Sequence, residues 1–557
     1  MLSYFDIFNI FDIFRIGAGG GSGGGGPVIP PYDPTLWVNN MGQFNKPTAL
    51  STMIDTRTSA GTVFDHEGLV VTGEPNEIVL DGGRPERNLA TSLTTHSIAV
   101  ESGRTYQISC EGASASTVVL SNAAAGTLTN NGSDRLAFDI AKTATTTTLT
   151  LTVAGVLTAL QVQDVTGRSN TAPSEVLDLA TTEWYSTTNG NSVNSGVVTE
   201  APGTAITPVP QVLMQPLRTN LIKGSRDLTN ATWALRGTAV ATQTAVGMDG
   251  VANGATDISV GPTNADDIYQ NVNSTAFKPA APVVWVKAVT TSGVLRVLNP
   301  QSTSEGEWDI DLSAVSTTEF DRIDEEHASV TVVTPFVIGV SGVGGLHFRS
   351  TTRVSMIIGN TMSFDSKTID QIRGTSPIFT ETAAVTVDAD KLEISDWNNF
   401  APTTSGIMLF AFTPSGDWAA LGAEQLVYGG ASANLLSRSA NEDGLKATDG
   451  TSTPSVLSGH TPGTEIIASV YFDADINIFQ VGYYEVGIAT QHWDASPEPF
   501  ATLAVDPELL VAKILDGAVT IRGLQIFNGM PAGGVDQASI EAWIEANQEA
   551  KINERQS

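Results

Sequence analysis

The chain has 557 residues, 28 basic against 59 acidic side chains and a formal net charge of −31. That length exceeds a single core and calls for about three domains, and a 41% hydrophobic share is enough to fill them. So acidic a surface repels phosphate backbones and anionic lipid, which argues against nucleic-acid binding and membrane-surface attachment.

Residues 1–16 read MLSYFDIFNIFDIFRI, with Phe-Asp-Ile-Phe at 5–8 and again at 11–14. Polar side chains fall on every third position (Ser3, Asp6, Asn9, Asp12, Arg15). Apolar Phe5, Ile7, Phe8, Ile10, Phe11, Ile13, Phe14 and Ile16 fill the gaps. On a helix, steps of three wind the polar stripe around the cylinder, so no single face stays apolar. A secretory signal needs a basic start and an unbroken apolar core, and a spanning helix needs about 20 apolar residues. Here nothing basic precedes Arg15, and Asp6 and Asp12 interrupt the run. The pattern predicts an anchor buried on most sides: docked in a neighbouring protein, bundled with copies of itself, or else a frayed or cleaved leader. Residues 17–31, glycine-rich and ending in Pro30-Pro31, predict a flexible linker.

The rest predicts an all-β chain of tandem β-sandwich or jelly-roll domains with one short C-terminal helix. Thr147–Val153 alternates with period two, whereas Val283–Val286 and Ile466–Phe472 are continuous apolar runs suited to core strands, Trp285 with them. Asn131-Gly132, Asn189-Gly190, Asp249-Gly250, Asp449-Gly450 and Asp516-Gly517 mark turns. The expected units are a sandwich at 32–170, a connecting hairpin segment at 171–216, a sandwich at 217–380, a jelly roll at 381–547 and a polar tail at 548–557. Leu160–Gly167 and Ile369–Pro377 are alike enough to predict a module used twice. Asp536 caps the helix, and Ile540, Trp543 and Ile544 form its apolar stripe. The single cysteine, Cys110, rules out an intrachain disulfide, and its alternating surroundings predict a small buried side chain. The six histidines include no two close enough in sequence to form a local ligand pair.

Several motifs resemble those of tailed-phage structural proteins, mostly fibres and other appendages. They are Thr188-Asn-Gly-Asn191, Val197-Val-Thr-Glu-Ala-Pro-Gly203, Arg218-Thr-Asn-Leu221 and the spacing Ser225, Asp227, Asn230, Trp233. The resemblance implies a carbohydrate-binding-module-like sandwich at 217–380, although Gln371-Ile-Arg-Gly374 departs from the usual exit motif and its acid. Residues 385–545 resemble a concanavalin A-like, laminin-G-type jelly roll through Gly406–Phe412, the hairpin Glu465–Ile488 and the exit Val519–Asn528. Together these imply a fibre or spike subunit of the virion, assembled in the host cytoplasm and commonly a homotrimer. It would be held to other virion structural proteins through residues 1–16 and would bind host-surface glycan. A passive capsid or tail decoration protein and a polysaccharide depolymerase are the alternatives.

Sugar rings stack on aromatic faces, so Trp418, Tyr428, Tyr484 and Trp493 are the glycan-binding candidates, Trp493 being flanked by polar Gln491, His492 and Asp494. Asp473-Ala-Asp-Ile-Asn477, with Asp475 at its centre, has a spacing that can present oxygens to calcium, but lacks the glycine and distal glutamate of an EF-hand loop. It reads first as a plain turn, and no other cofactor is expected. Glycan cleavage would require two carboxylates across one groove. Asp473, Asp475 and Glu485 lie on or beside a turn, and the two-glutamate strand signature of jelly-roll glucanases is missing. No P-loop or H-E-x-x-H occurs either, so no enzymatic activity is expected.

Overall fold

The computed structural model describes most of residues 57–168 and 211–553, with short strands at 36–39, 43–45, 53–55, 184–186, 192–194 and 197–199. The expected anchor and linker, residues 1–31, lie outside the described residues, as does Trp418. The architecture is all-β: antiparallel sheets packed face to face, with one long helix near the C-terminus.

Alternation builds the first sandwich. In Thr148–Ala154 the side chains of Leu149 and Leu151 are buried while Thr148 and Thr152 face solvent. This strand belongs to a four-stranded sheet (126–129, 117–122, 148–154, 96–99) that packs on three strands at 136–141, 105–112 and 157–164. Cys110 is buried there and forms no disulfide among the described residues.

The middle sandwich sets seven strands, with the long strand Val354–Asp365 as their spine, against six. Between them pack Ile258, Val286, Val297, Trp308 and Phe348. The run Val283–Val286 has no polar side because both its faces are covered. Val284 and Val286 point between the sheets, while Val283 and Trp285 join Met362, Phe364 and Ile378 on the other side. Leu160–Gly167 belongs to the strand Leu157–Asp164 and the turn after it, but Ile369–Ile372 is a helical turn. The two similar stretches therefore do not share a structure, and the expected duplication is not seen.

The last sandwich sets a nine-stranded sheet near a seven-stranded one. Ile466–Asp473 is buried along its whole length. One face of that sheet is closed by the helix Gln537–Asn553, through Ile540 and Ile544 on Leu409, Ile467 and Phe527. The Ser539 amide donates to Asp536 Oδ1 at 2.9 Å, which caps the helix as expected; the helix runs six residues past 547. Strands from far upstream enter these sheets: Leu36–Asn39 pairs with Val519–Asn528, Met53–Asp55 with Lys391–Ile394, and Gln211–Met214 with Val519–Asn528. The strands at 36–39, 43–45 and 53–55, placed in the N-terminal sandwich by sequence order, thus join the sheets of the last unit, where they cover strand edges that would otherwise be open.

The units meet at a buried polar junction. Arg57 Nη1 donates to Asp390 Oδ1 at 2.7 Å, and the Gln215 amide donates to Asp390 Oδ2 at 2.7 Å. Arg218 lies alongside, donating to Ser376 Oγ at 3.2 Å. Burial raises the Asp390 carboxyl above its ordinary range, against the pull of both guanidiniums. Burial brings Arg218 down to about 10, opposed by Asp390 and reinforced by Arg57. Removing the carboxylate would strand two cations out of water. D390A is expected to lower unfolding free energy by about 3–5 kcal/mol, read as a fall in the urea midpoint; an unchanged midpoint would contradict the junction's role.

Candidate ligand-binding face

Of the residues that carry the phage resemblance, Thr188–Asn191 lie outside the described residues, and those from Arg218 to Trp233 have structural employment. Asn220 Nδ2 donates to the carbonyls of Thr361 and Ile378, at 3.1 and 2.9 Å. Thr380 N donates to Ser225 Oγ at 2.9 Å, and Trp233 Nε1 donates to the Lys223 carbonyl at 3.0 Å. These bonds stitch the start of the middle unit to its spine strand and to the segment that leaves it.

The aromatic candidates are likewise engaged within the last unit. Trp493 Nε1 donates to Glu545 Oε1 at 2.8 Å, and its ring meets Tyr471 edge-on at 5.7 Å. Any Cβ at Gly482 would collide with that ring. Tyr484 packs in the same cluster beneath the helix. Tyr428 ends the strand Gln425–Tyr428. Trp493 and Tyr484 are thus drawn to the C-terminal helix, which the polar neighbours of Trp493 did not reveal. In the hairpin at 473–478, Asp473 Oδ1 accepts from Asp475 N at 2.8 Å, and Asn477 adopts φ 54° with Oδ1 accepting from Phe500 N. These oxygens fasten a tight turn. Among the described residues no group of three or more His, Cys, Asp and Glu side chains is placed to hold a metal ion.

A cavity of about 670 Å³ opens beside the first sandwich, lined by Val70, Arg87, Glu101, Arg104, Tyr106 and Asp164 among others. Its Arg104 is shared by Glu101, Asp164 and, at 3.9 Å, Asp249 of the middle unit. The charges there are matched internally and tie two units together.

The outer face of the middle unit's six-stranded sheet differs. Alternation sends Leu346 and Phe348, Leu295 and Val297, and Trp308 and Ile310 inward, so the residues between them face out. Register then aligns two rows across the sheet. One runs Tyr269, His347, Leu298, Glu307; the next runs Arg349, Arg296, Asp309, Thr331. Beneath the edge of these rows lies Asp267, with a side chain 0% exposed. Arg236 grips it with Nε and Nη2, both at 2.6 Å, and stacks on Tyr269 at 4.6 Å. His347 Nε2 lies 2.7 Å from Asp267 Oδ2, and Arg349 Nε lies 3.3 Å from the same oxygen. Burial works to raise the Asp267 carboxyl, but Arg236 and His347 hold it below its ordinary value. Burial also brings the His347 imidazole down to about 4, against the pull of Asp267, so the ring is neutral near pH 7.

The arrangement is a rigid, cation-bearing platform with an aromatic edge, suited to hydrogen-bonding a polar ligand. The glycan-binding candidates read from the sequence include none of its members. The available signal was Leu346-His-Phe-Arg349, a strand that sets two basic side chains on its outer face in a strongly acidic chain.

The depressed His347 sets a pH dependence. Its unfolded form takes up a proton below about 6.5, whereas the folded form stays neutral until about 4. The contribution is therefore complete above the first value and lost as pH falls through the second, amounting to at most about 3 kcal/mol. Urea midpoints measured between about pH 7 and pH 5 should fall more for the native chain than for H347Q. Parallel profiles would contradict this.

No protein-family model matches the chain, and no curated protein matches it. Among solved structures it is similar to the tail fiber protein gp63.1 of an E. coli phage, with 8% identity over 56% of this chain and 41% of that one, at a TM-score of 0.17. The chain thus spans about two fifths of the length of that protein. So slight a likeness bears no weight on its own.

Proposed function

We propose that the chain is a non-enzymatic fibre or spike subunit of a tailed-phage virion. Residues 1–16 fasten it to other virion structural proteins, and its β-sandwich units meet host-surface glycan. The observation that carries the binding role is the partly exposed platform of Arg236, Tyr269 and Arg349 on a sheet face, with His347 buried beside them and a fully buried carboxylate holding them from below. Support for the structural role comes from the interlocking of distant segments into shared sheets, which suits a subunit that must transmit load. The tethered role rests on the apolar leader and the glycine tract that follows it. The subunit is read as a homotrimer, assembled in the host cytoplasm, binding neither nucleic acid nor membrane. Among the described residues no helix is long and apolar enough to cross a membrane.

Deleting residues 1–16 should abolish incorporation into particles; normal incorporation would refute the anchor. The same truncated chain, applied to an array of host polysaccharides, should bind a subset of them. A flat array would favour passive decoration. Release of reducing ends from a bound polysaccharide would favour a depolymerase.

A further inference from the structure

Resting on the glycan-binding reading above, we infer that the outer face of the six-stranded sheet takes a polysaccharide bearing isolated carboxylates, a uronate-containing glycan, with Arg349 and Arg236 receiving the acid. The geometry separates these two cations from Arg296. Arg296 is already matched, with Nε and Nη2 on Asp309 at 2.8 and 3.1 Å and Nη1 on Glu307 at 2.9 Å. Arg349 spends only Nε on the protein, toward Asp267 and His347. Arg236 spends Nε and Nη2. Among the described residues, both terminal nitrogens of Arg349 and Nη1 of Arg236 have no acceptor.

Asp267 lies behind the three groups around it, so it orients the two guanidiniums with their open edges outward while its own charge stays buried. A planar guanidinium held this way presents the fork that matches a carboxylate. The rest of the two rows tells what carries that carboxylate. Glu307 and Asp309 accept hydrogen bonds from hydroxyls, Thr331 donates or accepts them, and half-buried Leu298 offers a small apolar patch to a sugar's C–H face. Four adjacent strands give these rows a span of about 14 Å, enough for a short oligosaccharide. The same two acids, within a chain of net charge −31, repel a densely charged polyanion, so the acid groups must be spaced by neutral sugars.

The test uses the full chain and two probes: an oligosaccharide alternating glucuronic acid with glucose, and the same compound with its carboxyls reduced to hydroxymethyl groups. The acidic probe should bind, and the reduced probe should bind about 10- to 100-fold more weakly, the loss expected for one charge-assisted pair. R349Q should lose a similar factor toward the acidic probe and little toward the reduced one. R349K, which keeps the charge but not the fork, should fall between. W493F should bind like the native chain. Equal affinity of the native chain for both probes would overturn the acidic class and leave the glycan reading intact, and this comparison needs no variant to fold. Loss of binding in W493F but not in R349Q would overturn the location. Binding of neither probe, with the array also flat, would overturn both readings.

Discussion

A carboxylate taken out of water has to be surrounded by donors, and the fold is organised around one such group. Asp390 is 1% exposed and gathers Arg57, Gln215 and Arg218 from segments separated by as many as 333 residues. Each partner belongs to a stretch whose neighbours pair into a different sheet. The carboxylate therefore sets how the segment after the N-terminal strands, the start of the middle unit and the start of the last unit stand together. Such a pair is a poor source of net stability against an apolar substitute, but losing one partner is severe. That asymmetry suits a part that must keep one geometry.

The same physics, applied at the surface of the middle unit, yields the proposed ligand face. Asp267 is as little exposed as Asp390 but lies nearer the surface, and its cations stand between it and solvent and not between it and more protein. A buried acid inside a junction locks segments together. A buried acid under a sheet face holds cations at the surface, the feature on which the proposed binding role rests. The chain's strong negative charge makes this concentration of guanidiniums stand out, and the matched pair at Arg296 shows what the sheet does when no outside partner is needed.

Local features were legible in the sequence because they depend on neighbours along the chain. The alternation at 148–154, the two-sided apolar runs around Trp285 and at 466–473, the buried Cys110 and the Asp536 cap all follow from period and residue type. What escaped depends on register between strands far apart. Nothing in Leu36-Trp-Val38 names residues 524–526 as its partners. Likewise Trp493 looked like a sugar platform until the helix brought Glu545 to its indole nitrogen. The ligand face draws on Arg236, Asp267, Tyr269, Arg296 and the pair His347 and Arg349, which only pairing of distant strands brings together. The similarity between 160–167 and 369–377 misled for the same reason: short likeness fixes residue type but not the hydrogen-bond partners that decide strand against helix.

The proposed ligand settles on the outer face of the six-stranded sheet. Amide hydrogen exchange of the full chain, with and without a saturating acidic oligosaccharide, locates it directly. Added protection confined to 268–272, 294–298 and 344–349 is the predicted result. Protection centred on 478–493, or spread evenly over all three sandwiches, would contradict it.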